Sequence, residues 1–317
     1  MIKKILSIIL ALAMLSVFAG CSSNDEETKT ITIAYQGGIG YAPIHIMEAK
    51  QLIEENYDGE ITVEFKKLDS GAAINEGIMG GTIDIGCMGV APAISGVAAG
   101  IDYKVISNLS AQSHGLMSND KSITKLSDIT DQKIALVNTG SIQHILLAMA
   151  AEEYLGNANA LDNNIQAMSH AEGMAALESG TVQLHLTSSP FIYQERANEN
   201  YVELTEINEV WPSGNSFLVA MASSSLAEDE ALFDAITKAF DDAFTYIEEN
   251  PEEVAEIEVE YLDLDLETVK SYLAEEDCQF FGELKGIETM ADFMYRAGFI
   301  TEKVSVSQLK YDTVKAE

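Results

Sequence analysis

Residues 68–107 read LDSGAAINEGIMGGTIDIGCMGVAPAISGVAAGIDYKVIS. The pattern changes several times along this stretch. Ser70-Gly71 opens a helix that runs to about Gly80, because a small hydroxyl residue followed by helix formers caps free N–H groups. The segment TIDIGCMG is an apolar run short enough for a buried strand. Pro92 then suits the first turn of another short helix, which Gly100 ends. DYKVISNL, residues 102–109, returns to strand character. Helix, strand, helix and strand in this order predict α/β layers around a largely parallel sheet.

The same alternation extends in both directions. Upstream, TITIAY (30–35) is a strand, QGGIGYA a loop, and Pro43 the start of a helix to about Asn56 carrying Ile44, Ile46, Met47 and Leu52. EITVEF (60–65) alternates as a strand does. Downstream, KIALV (133–137) is a strand, followed by a helix with Ser141 as N-cap and Gly156 as its stop. GMAALESG (173–180) predicts a further short helix and TVQLHLT a strand. Between Glu228 and Glu267, Leu232, Phe233, Ile236, Phe240, Ala243, Phe244 and Ile247 recur at helical spacing among many acids. That pattern predicts amphipathic helices with a solvated acidic face. A calcium loop is not indicated, since the spaced Asp/Asn pattern with its central Gly is absent.

The chain has 317 residues, 47% of them apolar and 22% charged, a balance that supports two globular lobes. Its 51 acidic residues against 18 Lys and Arg give a net charge of −33. Nucleic acid is therefore excluded as a partner, because phosphate binding needs a basic surface. Lys3 and Lys4, the apolar run from Ile5, and Phe18-Ala19-Gly20-Cys21 have the form of a signal peptide. The segment resembles a bacterial lipoprotein signal, with Cys21 as the acylated residue. Ser22 to Thr30 is polar and acidic, as a tether would be. Cys87 and Cys278, the other two cysteines, make no disulfide framework.

Signatures of catalysis are missing. The chain holds no G-x-S-x-G, no phosphate-loop G-x-x-x-x-G-K-[ST] and no H-E-x-x-H. His45, His114, His144, His170 and His185 are scattered without metal-ligand spacing. The loops before helices are more informative. Free N–H groups at a helix start carry partial positive charge and accept an anionic group without Arg or Lys. Four such starts occur: Gln36 to Tyr41, Ser70-Gly71, Gly89 ahead of Pro92, and Thr139-Gly140-Ser141. In an open α/β sheet ligands sit beyond the carboxyl ends of strands, where these loops lie.

Four segments together carry a resemblance: GYAPIHIMEAKQLIEE, the stretch from Leu68 to Ser107, KLSDITDQKIALVNTGSIQHILL and ADFMYRAGFI. The set resembles the extracellular solute-binding proteins of ABC importers, in the branch for nitrate, alkanesulfonates, taurine and the thiamine pyrimidine precursor. The resemblance implies a two-lobed Venus-flytrap fold of the type II periplasmic-binding-protein class. Lobe one is expected at 31–113 plus 223–317 and lobe two at 114–222, with residues 1–20 as signal peptide and 21–30 as tether. The ligand site it implies comprises Gln36, Tyr41, Ser70, Gly71, Gly89, Gly140, Ser141 and His144, with Thr187, Ser188 and Pro190 from the second lobe. It implies no catalytic residue, cofactor or metal. The implied partners are a small solute, a permease and its cytoplasmic ATPase, and the membrane through Cys21, with the protein itself a monomer. Two alternatives remain at this point: a thiamine-pyrimidine-synthase-like enzyme, and a sensing module. Only two arginines, Arg196 and Arg296, are present, and neither lies on a pocket motif. A bidentate guanidinium clamp on the solute is therefore not expected.

Overall fold

The computed structural model describes residues 29–317. The signal segment, Cys21 and most of the tether lie outside the described residues. Strands β1 (Lys29–Tyr35), β2 (Ile61–Lys67), β3 (Ile85–Gly89) and β4 (Tyr103–Ala111) belong to a first sheet. Strands β5 (His114–Ser118), β6 (Ile134–Leu136), β7 (Ile165–Ala167), β8 (Leu184–Ser188) and β9 (Val202–Leu204) form a second. The chain then returns to the first through β10 (Leu218–Ser223) and β11 (Gln279–Phe280). The strand orders are β11-β4-β10-β3-β1-β2 and β7-β6-β8-β5-β9.

The helices that matter below are α1 (Ala42–Ala49), α2 (Gly71–Met79), α3 (Val90–Ala98), α4 (Ile142–Leu155), α5 (His170–Ser179), α6 (Phe191–Arg196), α7 (Glu230–Glu249) and α8 (Pro251–Leu262). The α/β alternation follows the sequence closely where strands are buried on both faces, as in β3. The 42–56 segment is not one helix. It breaks at Gln51, a non-glycine residue with φ 52°, before a short second helix Leu52–Asn56. GMAALESG is the later part of a longer helix that starts at His170.

Both sheets are mixed rather than largely parallel. β1, β2 and β3 are parallel, and β6 is parallel to β7 and β8. β10 runs antiparallel to both β3 and β4, and β5 antiparallel to both β8 and β9. The reason is the double crossing. A strand entering a sheet from the other sheet has no crossover helix to turn it parallel. The return begins at Leu218, so residues 218–222 pair within the first sheet rather than with the middle segment.

The acidic helices behave as patterned. α7 buries Leu232, Phe233, Ala235, Ile236, Ala239, Phe240 and Ala243. Glu258 on α8 departs from the solvated face. It is fully buried, with Oε1 2.8 Å from His45 Nδ1. Cys87 and Cys278 are both buried and form no disulfide among the described residues, and burial pushes both thiols up. Among the described residues no helix is long and apolar enough to cross a membrane.

Candidate functional site

A cavity of about 450 Å³ lies between the two sheets. Its walls come from loops beyond the carboxyl ends of β1, β2, β3, β6, β7 and β8, where open α/β sheets leave room for ligands. The first sheet contributes Gln36 and Tyr41, then Lys67 and Asp69, then Gly71, Asn75, Gly89 and Pro92. The second contributes Asn138 to Gln143, Ser169 to Ala171, and Ser188 to Phe191. Gln112 and Phe217 line it from the two crossings, and Tyr261 and Leu262 close it from the end of α8.

Three helices aim their N-termini at this space, and each is capped by serine. Ser70 Oγ accepts from the Ala73 N–H at 3.2 Å, Ser141 Oγ from the His144 N–H at 3.3 Å, and Ser169 Oγ from the Glu172 N–H at 3.3 Å. A cap satisfies the third donor and leaves the first two. The N–H groups of Gly71, Ala72, Ile142, Gln143, His170 and Ala171 have no partner among the described residues. They are the donors available to a bound group. The Gly140 N–H, by contrast, donates to His144 Nδ1 at 2.9 Å, and the Ser141 N–H donates to the Asn138 carbonyl at 3.2 Å. The donor pair at this loop thus stands at Ile142 and Gln143, two positions beyond Gly140 and Ser141. Gly140 has φ +83° and open space where a Cβ would stand, so it supplies the turn and the room. At Gly71 a Cβ would meet the Pro92 ring at 2.8 Å, so glycine lets the starts of α2 and α3 lie side by side.

Most of the expected residues come together. Gln36, Tyr41, Gly71, Gly89, Gly140, Ser141, Ser188 and Pro190 all line the cavity. Tyr41 is nevertheless almost wholly buried, with its hydroxyl donating to Gln36 Oε1 at 3.2 Å. Ser70, His144 and Thr187 do not line it. Ser70 acts only as a cap. His144 sits behind the loop, accepting from Gly140, packed edge-on against Phe299 at 5.3 Å and 3.6 Å from Asp162. Burial lowers its pKa and Asp162 opposes the shift. Thr187 is buried, with Oγ1 3.1 Å from His170 Nδ1.

Several lining residues carry no sequence signature: Lys67, Asp69, Gln112, Asn138, Gln143 and His170. Lys67 is the one cation among the lining residues, and it makes no ion pair among the described residues. Arg196 is engaged elsewhere, holding Glu203 through two bonds of 2.8 and 2.7 Å. Arg296 pairs with Glu152 across the two sheets. No group of three or more His, Cys, Asp or Glu converges as a metal site among the described residues. Chemically, the cavity presents backbone donors, amides, the Lys67 ammonium and the Asp69 carboxylate. That equips it to hold a small polar or anionic group by hydrogen bonds.

The model of the NMT1-like family matches residues 24–259. The chain belongs to the NMT1-like family. It is 25% identical, over 96% of its length and 94% of the relative's, to a Bacillus subtilis (strain 168) protein named for binding aliphatic sulfonates. Among solved structures it is similar to the periplasmic aliphatic sulphonate-binding protein SsuA of Escherichia coli, with TM-score 0.69, 20% identity, and 91% and 94% of the two chains covered. It also matches the alkanesulfonate-binding SsuA of Xanthomonas axonopodis pv. citri bound to MOPS, with TM-score 0.73, 17% identity, and 89% and 98% covered. The nitrate-binding NrtA of Synechocystis gives TM-score 0.61 at 15% identity, over 76% of this chain and 69% of that one. These likenesses establish the two-lobed periplasmic-binding-protein fold.

Proposed function

We propose that the protein is the solute-capturing component of an ABC importer. It takes a small solute, a sulfonate-, taurine- or nitrate-like anion or a vitamin precursor, between its two lobes. It then presents the solute to a permease driven by a cytoplasmic ATPase, and it performs no chemistry. The observation that carries this reading is the convergence of three serine-capped helix starts, drawn from both sheets, on one cavity with a single lysine. Such a site binds an anion through preorganised N–H groups and releases it readily, because no buried guanidinium holds it. The family and the relatives named for sulfonate and nitrate binding support the same direction.

In this reading the lobes move as bodies about the 111–114 and 216–218 crossings, closing on the solute. Lobe one is 31–113 with the C-terminal part of the chain, now beginning near Leu218, and lobe two is the segment between. Acylation of Cys21 anchors the protein to the outer face of the cell membrane. The protein works as a monomer there, with no nucleic acid and no cofactor. A thermal-shift panel of taurine, alkanesulfonates, nitrate, bicarbonate and the thiamine pyrimidine precursor tests the capture function. A solute at about 100 times its Kd adds about 2.7 kcal/mol to stability. A concentration-dependent rise with one compound is the expected result. A flat response to the whole panel contradicts this solute range.

A further inference from the structure

Behind the second-sheet wall of the cavity runs a polar chain that packing alone does not require. Glu195 on α6 and His185 on β8 are both buried, with Glu195 Oε1 2.6 Å from His185 Nδ1. His185 Nε2 lies 3.4 Å from His170 Nδ1, which is also 3.1 Å from Thr187 Oγ1. His170 Nε2 in turn lies 3.2 Å from Gln143 Nε2, an amide nitrogen that donates. His170 and Gln143 both line the cavity, so the chain begins in the core and ends at the solute site. Gly173 makes the approach possible. A Cβ there would lie 2.5 Å from His185 Nε2, in the space the imidazole occupies.

Glu195 Oε2 has no partner among the described residues. An orphan buried oxygen is costly on a carboxylate and far less so on a neutral carboxyl. The geometry therefore favours a protonated Glu195, whose O–H donates to His185 Nδ1. The proton of His185 then sits on Nε2 and points at His170 Nδ1. His170 must accept there, and its own proton goes to Nε2, toward the cavity and toward Gln143, whose amide then turns to present Oε1. If Glu195 loses its proton, every bond in the chain reverses. His185 Nδ1–H donates to the carboxylate, His170 Nδ1–H donates to His185 or Thr187, and His170 Nε2 becomes an acceptor. The Thr187 hydroxyl offers both a donor and an acceptor; the Gln143 amide, whose Nε2 faces His170, fits the ionised arrangement as it stands and the neutral one when it turns over to present Oε1.

We propose that Glu195, acting through His185, decides which ring nitrogen of His170 carries the proton, and so whether His170 offers the cavity a donor or an acceptor. Glu195 and His185 are positioning residues, and His170 is the group that reads the solute. This rests on the cavity being the solute site, but the coupling itself is a property of the protein without solute. Burial pushes the Glu195 carboxyl up to about 8. It holds His185 near 3, and burial followed by the neighbouring His185 holds His170 near 3. Both imidazoles thus stay neutral across the physiological range, as a tautomer relay needs. Tyr193 and Arg196 flank Glu195 on its own helix, and Tyr201 on the following loop faces both Glu195 and Glu178 of α5. Arg196 is occupied by Glu203 and Asp277, which leaves His185 as the one partner of the Glu195 carboxyl among the described residues.

The test is nitrogen NMR of the full chain labelled at histidine, titrated through about pH 8 without solute. His170 signals are assigned by their loss in His170→Asn. His170 is expected to be protonated at Nε2 near neutral pH and to exchange to Nδ1 as Glu195 ionises. Glu195→Gln keeps the shape and cannot ionise, and in it the pH-driven exchange is expected to vanish. An unchanging His170 tautomer in the unaltered protein overturns the proposal, and that arm needs no variant to fold. Persistence of the exchange in folded Glu195→Gln overturns it equally. In a last arm taurine is added as probe. Movement of the His170 signals supports its role as reader. Unmoved signals with the exchange intact contradict that role while the coupling stands.

Discussion

Ser70 and Ser141 are the same device in two positions, and replacing each by alanine separates capping from binding. Each hydroxyl accepts one backbone N–H, at 3.2 and 3.3 Å. Losing a serine cap costs about 1 kcal/mol of stability, within roughly 0.5–2. Both variants should therefore shift the denaturant midpoint downward by similar amounts with unchanged slope, since neither alters the surface exposed on unfolding. Their effects on solute binding should differ. Ser141 lines the cavity and Ser70 does not. A hydroxyl bond to solute contributes about 0.5–1.5 kcal/mol, so Ser141→Ala should weaken binding roughly two- to tenfold and Ser70→Ala hardly at all. The assay is isothermal titration of both variants with whichever compound stabilises the unaltered protein, paired with urea unfolding. Equal losses of affinity would refute the assignment of Ser141 to the cavity wall. A Ser141→Ala protein as stable as the parent would refute its role as cap.

Other outcomes are expected from the same structure. Trp211 is fully buried, and Trp211→Ala should cost about 3–5 kcal/mol in chemical unfolding. His170 and His185 remain neutral in the folded chain down to about 3, whereas the unfolded chain protonates them near 6.5. They should therefore withdraw stability as pH falls below about 6.5, by roughly 1.4 kcal/mol per pH unit for each group. Glu195 has the opposite sign. Its folded carboxyl ionises near 8 and its unfolded one near 4.5, so it withdraws stability as pH rises between those values. Unfolding followed against pH should accordingly show Glu195→Gln losing only the decline between about pH 4.5 and 8. Cys21→Ala should move the protein from the membrane fraction to the soluble one, and retention in membranes would contradict acylation at that residue.

The sequence made much of this architecture legible, for identifiable reasons. Ser70 and Ser141 stand directly before helical patterns, and a cap is a local event that local chemistry reveals. Ser169 has the same form, with Glu172 completing a capping box. It was hidden because β7 before it spans only three residues, too few for a period to show. The direction of β10 could not be read, since an apolar strand looks the same whichever way it runs. Gln51 ends α1 in a left-handed conformation without the glycine that usually marks one. The polar wall of the cavity was least legible. Gln112, Asn138 and Gln143 are single amides brought together only by the crossing of the chain. His170 and His185 meet through the packing of α5 on β8, and Gly173 permits that contact.

The most direct test of the account is a crystal structure with the compound from the panel that raises stability most. The account predicts density between the sheets, with the solute's electronegative group within hydrogen-bond distance of N–H groups at Gly71–Ala72, Ile142–Gln143 or His170–Ala171. Density elsewhere, or an empty cavity beside a bound compound, would contradict it.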